Sequence, residues 1–424
     1  MTASALTSVS DDSPGLSGTL TGAEIEVPAP EGIAVSSSTE ALAAALWFAY
    51  LNEAATMFEQ NYATAADIDA SMRFGCGYPV GPLAQIDSIG ADKVETVLNA
   101  LHEASGDRRH EVSAAISERA ASGEPFISED GGSAPELTGT PRDIASVGVV
   151  GTGTMASGIV EVFAKSGIPV TFVARSDEKV QKVQAAITKS LERAVSKGKL
   201  SEADRDEILG RITGTTSHAD LSEVDLIVEA IVEDLDTKKE LFESLDRVAK
   251  PGAILATTTS SLSIADIAAA TSRPNDFIGM HFFNPAPVMK LVEVVSADDT
   301  AVDVTATVVD LCHKVGKHPV LCGDRAGFIV NFLLFPYLND AVLAVEAKLV
   351  DIETLDPVMK QWQSLPMGPF ALLDVVGTDV SLAIEDVIYD AFGGEEYEAA
   401  PLLRQTVEAG KLGRKTGEGF LSYS

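Results

Sequence analysis

The chain is poor in cysteine, in aromatic side chains and in positive charge. Its 424 residues include three cysteines, Cys76, Cys312 and Cys322, and aromatic residues make up 6%. The cysteines form no close pair and no metal-type spacing. That excludes a disulfide scaffold and gives no metal site, and it fits a reducing cytoplasm. Lysine and arginine number 31 against 63 acids, a formal net charge of −32. Nucleic acid and anionic membranes would be repelled by such a field, so neither is expected as a partner. A small anionic ligand is not excluded, because a pocket's local field can oppose the global sign. No run approaches the roughly 18–20 uninterrupted apolar residues of a membrane span. The opening "MTASALTSVSDDSPGLSGTL" has neither a basic n-region nor an apolar h-region. The expectation is a soluble, cytoplasmic protein.

Hydrophobic residues make up 46% and charged residues 22%, enough for a sizeable core. At about 150 residues per domain, two or three domains are expected. Residues 1–37 are rich in Ser, Thr, Pro, Gly and acids and read as a disordered tail. Residues 38–126 are patterned as helices, with Ser38 or Thr39 as the candidate first cap. A Gly/Ser/Pro-rich linker follows at 127–143. From 144 to 324 short Val/Ile-rich runs ("IASVGVV", "IPVTFVA", "VDLIVEA", "GAILATT", "DFIGMHFF") alternate with amphipathic segments, the pattern of βαβ units on a mostly parallel sheet. Residues 325–424 are helical again. The two helical regions are related: "FAYLNEA" and "YPVGPLAQIDSIGAD" reappear as "FPYLNDA" and "LPMGPFALLDVVGTD", both at an offset of 287. One register held across so many residues implies a duplicated helical unit.

"SVGVVGTGTMASGIV" places Gly151, Gly153, Thr154, Met155 and Ala156 directly after a strand and at the head of a helix. Gly151 permits the tight turn, Gly153 lets the backbone approach a pyrophosphate, and Ala156 packs helix on strand. At the end of the second strand the acid that grips the adenosine ribose of NAD is missing. Ala174, Arg175 and Ser176 stand there instead, and a guanidinium with a hydroxyl suits the extra phosphate of NADP. NADP(H) is therefore the preferred cofactor, with NAD(H) still possible. In "GMHFFNPAPVMKLVEVV" the midpoint between His281 and Glu293 falls at Pro287, inside the turn-rich connection. A hairpin would set the two side chains opposite each other. A carboxylate on one imidazole nitrogen fixes the tautomer and leaves the other nitrogen to shuttle a proton. The competing reading is a core histidine and an unrelated glutamate.

Taken together, "VGVVGTGTMASGIV", "TSSLSI", "GMHFFNPAPVMKLVEVV", "GFIVNFLLFPYLNDA", "LPMGPF" and "GRKTGEGF" resemble the 3-hydroxyacyl-CoA dehydrogenase family over about residues 144–424. The resemblance implies an α/β Rossmann-type dinucleotide-binding domain flanked by two all-α helical domains like the family's C-terminal one. It implies a reversible hydride transfer between an (S)-3-hydroxyacyl-CoA and the cofactor. His281 and Glu293 match the proton-transfer pair, and Ser260 and Asn331 match groups that bond the reacting oxygen. Glu233, Lys238, Asn284 and Lys415 match positions lining the cofactor. Ser190 and Lys197 match positions touching coenzyme A, and a basic cluster of Arg193, Lys197 and Lys199 suits its phosphates. Departures are Ala174–Arg175 for the usual acid, Thr258 for a common asparagine, Phe332 for a common arginine and Ala326 for a common proline. In the N-terminal copy Ala44 and Ala121 fall opposite Asn331 and Lys415, so that copy is expected to do no chemistry. Single-copy relatives pair through their C-terminal helical domains, so the resemblance favours a pseudo-dimeric monomer here, with a homodimer as rival. Two other functions remain open: a dehydrogenase of free hydroxy acids, and a non-enzymatic nucleotide-binding module.

Overall fold

The computed structural model describes residues 36–128 and 138–423. All but the last two residues of the expected tail, and part of the expected linker, lie outside them. The described residues divide into two compact units, a helical one (36–128 with 329–423) and an α/β one (138–328).

The helical unit opens with α1 (Ser37–Glu59), α2 (Ala65–Gly75), α3 (Pro82–Ile89), α4 (Ala91–Ser105) and α5 (Ala114–Ser122). Ser36 caps α1 by accepting from the Thr39 N–H, so the helix begins earlier than the Ser38 or Thr39 cap expected from the sequence. By length and composition α1 could cross a membrane, but most of it is buried inside this unit as a core helix.

The α/β unit carries β1 (Val147–Val150), α6 (Thr154–Lys165), β2 (Val170–Val173), α7 (Asp177–Ser196), α8 (Glu202–Gly210), β3 (Ile212–Thr215), β4 (Leu226–Glu229), α9 (Leu235–Val248) and β5 (Ile254–Thr257). It continues with α10 (Ile264–Ala268), β6 (Phe277–Phe282), β7 (Leu291–Ser296), α11 (Val302–Lys314) and β8 (His318–Gly323). These strands form one eight-stranded sheet in the order β3-β2-β1-β4-β5-β6-β7-β8. β1 to β6 run parallel, β7 turns back antiparallel on β6, and β8 lies parallel to β7. Strands β1, β4 and β5 are buried along their whole length, as parallel strands covered on both faces must be. The edge strands β3 and β8 were not anticipated. β3 is only partly buried, and β8 carries Pro319, which an edge tolerates because one side of the strand needs no N–H.

The helical unit is completed by α12 (Val330–Glu346), α13 (Ile352–Trp362), α14 (Pro369–Val376), α15 (Thr378–Phe392) and α16 (Pro401–Glu408). Its two halves repeat in atomic detail. Asn52 donates to the Arg109 and Glu111 carbonyls and accepts from Ser113 N–H. Asn339, 287 residues on, donates to the Glu398 carbonyl and accepts from Ala400 N–H. Asp69 accepts from Leu83 and Ala84 N–H at the start of α3, and Asp356 accepts from Phe370 and Ala371 N–H at the start of α14. Asp87 and Asp374 likewise each hold two N–H groups of the chain segment that closes their half. Each acid satisfies donors that burial would otherwise leave unpaired. The halves pack on each other through Tyr50 and Tyr337, equivalent positions with ring centroids 6.1 Å apart, and through the buried Arg109–Asp340 ion pair at 2.6 Å.

Candidate active site

Beyond Val150 the chain turns through Gly151 at a φ of +145°, where a Cβ would meet the Ala230 carbonyl oxygen at 2.2 Å. Only glycine fits. Gly153 precedes α6 with no side-chain cap, and a Cβ there would face open space. Thr154 is exposed and Met155 half-buried, while Ala156 packs into the core. Bare backbone and unfilled helix N–H groups are the features a dinucleotide's pyrophosphate occupies, so the residues present fit a nicotinamide cofactor. At the end of β2, Ala174 is buried and Arg175 exposed, and among the described residues Arg175 pairs with no carboxylate. Ser176 caps α7 by accepting from Lys179 N–H at 3.3 Å, and Asp177 and Glu178 lie in that first turn.

The hairpin of β6 and β7 sets His281 directly opposite Glu293 in register. His281 Nδ1 lies 2.6 Å from Glu293 Oε2, both side chains being buried. With the carboxylate as acceptor, Nδ1 carries the proton and Nε2 is left to accept one. The ring is flanked by Phe283 and Phe328, with centroids 4.6 and 5.7 Å away. Exposed Asn284 stands where the chain leaves β6. The connection that follows is fixed from two sides. A Cβ on Gly158 of α6 would come within 3.0 Å of Pro287, so glycine lets the helix approach. The buried Lys317 donates through Nζ to the Ala286 carbonyl and, at 2.6 Å, to the Met289 carbonyl.

A second polar chain runs across the ends of β4 and β5. Glu229, fully buried, accepts from Lys238 Nζ (2.6 Å), from Thr257 Oγ1 (2.6 Å) and from Ile231 N–H (2.7 Å). Lys238 Nζ also lies 3.3 Å from Glu233 Oε2. Glu233 Oε1 in turn accepts from Thr259 Oγ1 (2.6 Å), Ser260 N–H (2.7 Å) and Ser260 Oγ (3.2 Å). Burial pushes the Glu233 carboxyl up, but Lys238 and the donors from Thr259 and Ser260 outweigh it and hold the group below its ordinary range. Asp324 ties down the other end of the serine segment, accepting from Ser263 Oγ and from Ile264 and Ala265 N–H.

Of the residues singled out in the sequence, the α/β unit thus joins His281 to Glu293, and Ser260 to Glu233 and Lys238. Ser190 lies on α7, and Arg193, Lys197 and Lys199 are exposed at its C-terminal end. Asn331 opens α12 in the helical unit. Lys415, in the same unit, pairs with Asp379. Phe332, at the position where arginine is common, is buried against Phe392 with centroids 4.9 Å apart. Sequence reasoning missed Glu229, Thr257, Lys317 and Asp324. The signal for Glu229 was an acid closing the apolar run "LIVE", since a buried charge must find partners.

A glycine-lined turn on a parallel sheet, beside a hairpin bearing a histidine–carboxylate pair, defines the class: a nicotinamide-dinucleotide-dependent dehydrogenase. The family follows from comparison with known proteins. Residues 146–325 match the model described as 3-hydroxyacyl-CoA dehydrogenase, NAD binding domain, and residues 42–126 and 327–423 each match the one described as 3-hydroxyacyl-CoA dehydrogenase, C-terminal domain. The chain belongs to the 3-hydroxyacyl-CoA dehydrogenase family, with its C-terminal domain present twice. It is similar to the 3-hydroxybutyryl-CoA dehydrogenase of Clostridioides difficile, 46% identical over 65% of this chain and 98% of the relative. One from Mycobacterium tuberculosis is also 46% identical, over 66% of this chain and 99% of the relative. Among solved structures, M. tuberculosis FadB2 matches with a TM-score of 0.66 at 45% identity, covering 67% of this chain and all of that one. The (S)-3-hydroxybutyryl-CoA dehydrogenase PaaH1 of Ralstonia eutropha matches with a TM-score of 0.65 at 42% identity, covering 66% and 100%. The chain is an oxidoreductase, and its α/β unit contains an NAD-binding domain.

Proposed function

We propose that the chain interconverts a short-chain (S)-3-hydroxyacyl-CoA, 3-hydroxybutyryl-CoA above all, and its 3-oxo counterpart. The observation that carries this is the 2.6 Å His281–Glu293 contact on a hairpin of the dinucleotide-binding sheet. In oxidation His281 Nε2 takes the proton of the 3-hydroxyl, and Glu293 holds Nδ1–H and stabilises the resulting imidazolium. In reduction His281 returns that proton. The nicotinamide supplies the chemistry of accepting or returning hydride. Ser260 turns its one hydroxyl hydrogen, which the structure shows given to Glu233, to the reacting oxygen, from a segment that Glu233 and Asp324 hold in place. Asn331 and Lys415 take substrate and cofactor roles by family likeness, and Ser190 and Lys197 meet coenzyme A on the same ground.

NADP(H) is the preferred cofactor in this reading. Its support is that Ala174 brings no carboxylate and that the exposed Arg175 pairs with none among the described residues. Asp177 and Glu178 pull the other way, so the margin between the two cofactors is modest. The enzyme works as a pseudo-dimeric monomer in the cytoplasm. The support for the first is the isologous packing of the two helical halves within one chain, and for the second that each cysteine is a thiol. The test is the rate of acetoacetyl-CoA reduction with NADPH and with NADH. Reduction faster with NADPH, and a shift toward NADH in Arg175→Asp, are expected. No reduction with either cofactor defeats the activity, and an unchanged cofactor ratio in the variant defeats the preference.

A further inference from the structure

The N-terminal helical half lacks the polar residues its C-terminal counterpart carries at Asn331 and Lys415, yet it carries others that the counterpart lacks. At the offset of 287, Trp47 stands against Leu334, Tyr78 against Leu365, Gln85 against Leu372 and Ser88 against Val375. All four N-terminal residues line one open hollow of about 180 Å³, which Gln363 and Leu365 of the C-terminal half also line. At these four positions the N-terminal half carries aromatic or polar side chains where the C-terminal half carries aliphatic ones, and all four gather at one hollow.

The walls are held in place. Trp47 and Tyr78 belong to an aromatic cluster with Tyr50 and Tyr337, their centroids 4.6 to 6.2 Å apart. Trp47 Nε1 donates to Gln85 Oε1 at 3.1 Å, and Gln85 Nε2 donates to Gln363 Oε1 at 2.5 Å. That chain fixes both amide planes. It also leaves, among the described residues, an amide hydrogen of Gln85 and those of Gln363 without acceptors inside the protein. Among the described residues no charged side chain lines the hollow. A phosphate or carboxylate would lie there uncompensated, inside a protein of net charge −32.

We infer that this cavity is a second ligand site, for a neutral, flat nitrogen heterocycle or aromatic carboxamide. Its ring lies against Trp47 and Tyr78, and its edge accepts from the amides of Gln85 and Gln363. The volume is below the roughly 300 Å³ at which ordinary ligand pockets begin, so one ring system fills it. The site shares no residue with the glycine turn or the histidine pair, and it gives the polar, aromatic face of the N-terminal half a role.

The probes are adenine and nicotinamide, titrated calorimetrically into the full chain with the dinucleotide site saturated by NADH. At least one should bind in one-to-one ratio. Tyr78→Leu and Gln85→Leu install the residues the other half carries, and each should weaken binding about tenfold or more. Ser88→Tyr plugs the exposed rim without touching the core and should abolish binding. Acetoacetyl-CoA reduction should be unchanged in all three. Failure of both probes to bind the unaltered chain at millimolar concentration overturns the proposal. So does binding that survives both Tyr78→Leu and Ser88→Tyr.

Discussion

At the scale of single residues, the proposed chemistry rests on groups that burial would penalise unless paired. Glu293 and His281 are buried together, and each makes the other tolerable. His281→Ala and Glu293→Gln should each lower turnover by about 10²–10⁴-fold, the usual worth of a positioned acid–base group, while circular dichroism stays unaltered. Near-normal turnover in both would remove the assignment. Glu233 offers a test in acid. Its folded value lies below the ordinary 4.5, so the ionised group contributes stability that is complete above 4.5 and lost as pH falls through the folded value. Glu233→Gln should therefore be less stable than the parent near neutral pH, with the gap closing in acid. A urea-unfolding difference that is the same at both pH values contradicts this. The pairing of His281 with Glu293 was legible because both were odd members of apolar runs. Glu229 and Lys238 were not legible as a pair, since residues nine apart meet only when a strand end and a helix start are brought together.

At the scale of elements, the hairpin depends on more than its own turn. Lys317, beside β8, reaches across to the connection between β6 and β7 and holds two of its carbonyls. Lys317→Met keeps the apolar stem but leaves those carbonyls without a donor, at about 1–3 kcal/mol each. Turnover should fall although His281 and Glu293 are untouched, and Lys317→Arg should restore part of it. Loss of stability with full retention of turnover would reduce Lys317 to a structural role. The central strands could be read from composition because parallel strands covered on both faces need unbroken apolar runs. The edges β3 and β8 could not, because a half-exposed strand has no such requirement, and Pro319 reads as a strand breaker unless the edge position is known.

At the scale of the whole molecule, the duplication bears on the proposed assembly. In a single-copy chain an isologous helical interface needs a second molecule. Here Tyr50 meets Tyr337 and Arg109 meets Asp340 within one chain, and on the pseudo-dimeric reading proposed above these contacts take the place of a second molecule's. Mass measurement in solution should give one 44.4 kDa chain at micromolar concentration. A tight two-chain species means that halves are exchanged between chains instead.

The sequence by itself determined the order of domains, the duplicated half, the glycine turn and the histidine–glutamate hairpin. Each of these is written in spacing along the chain, and spacing survives without a fold. The tertiary structure alone decided which buried charges pair, which carbonyls Lys317 holds, and that the aromatic and polar positions peculiar to the N-terminal half line one hollow. Those contacts join residues nine to nearly three hundred positions apart, and no local pattern encodes the meeting of side chains that only packing brings within bonding distance.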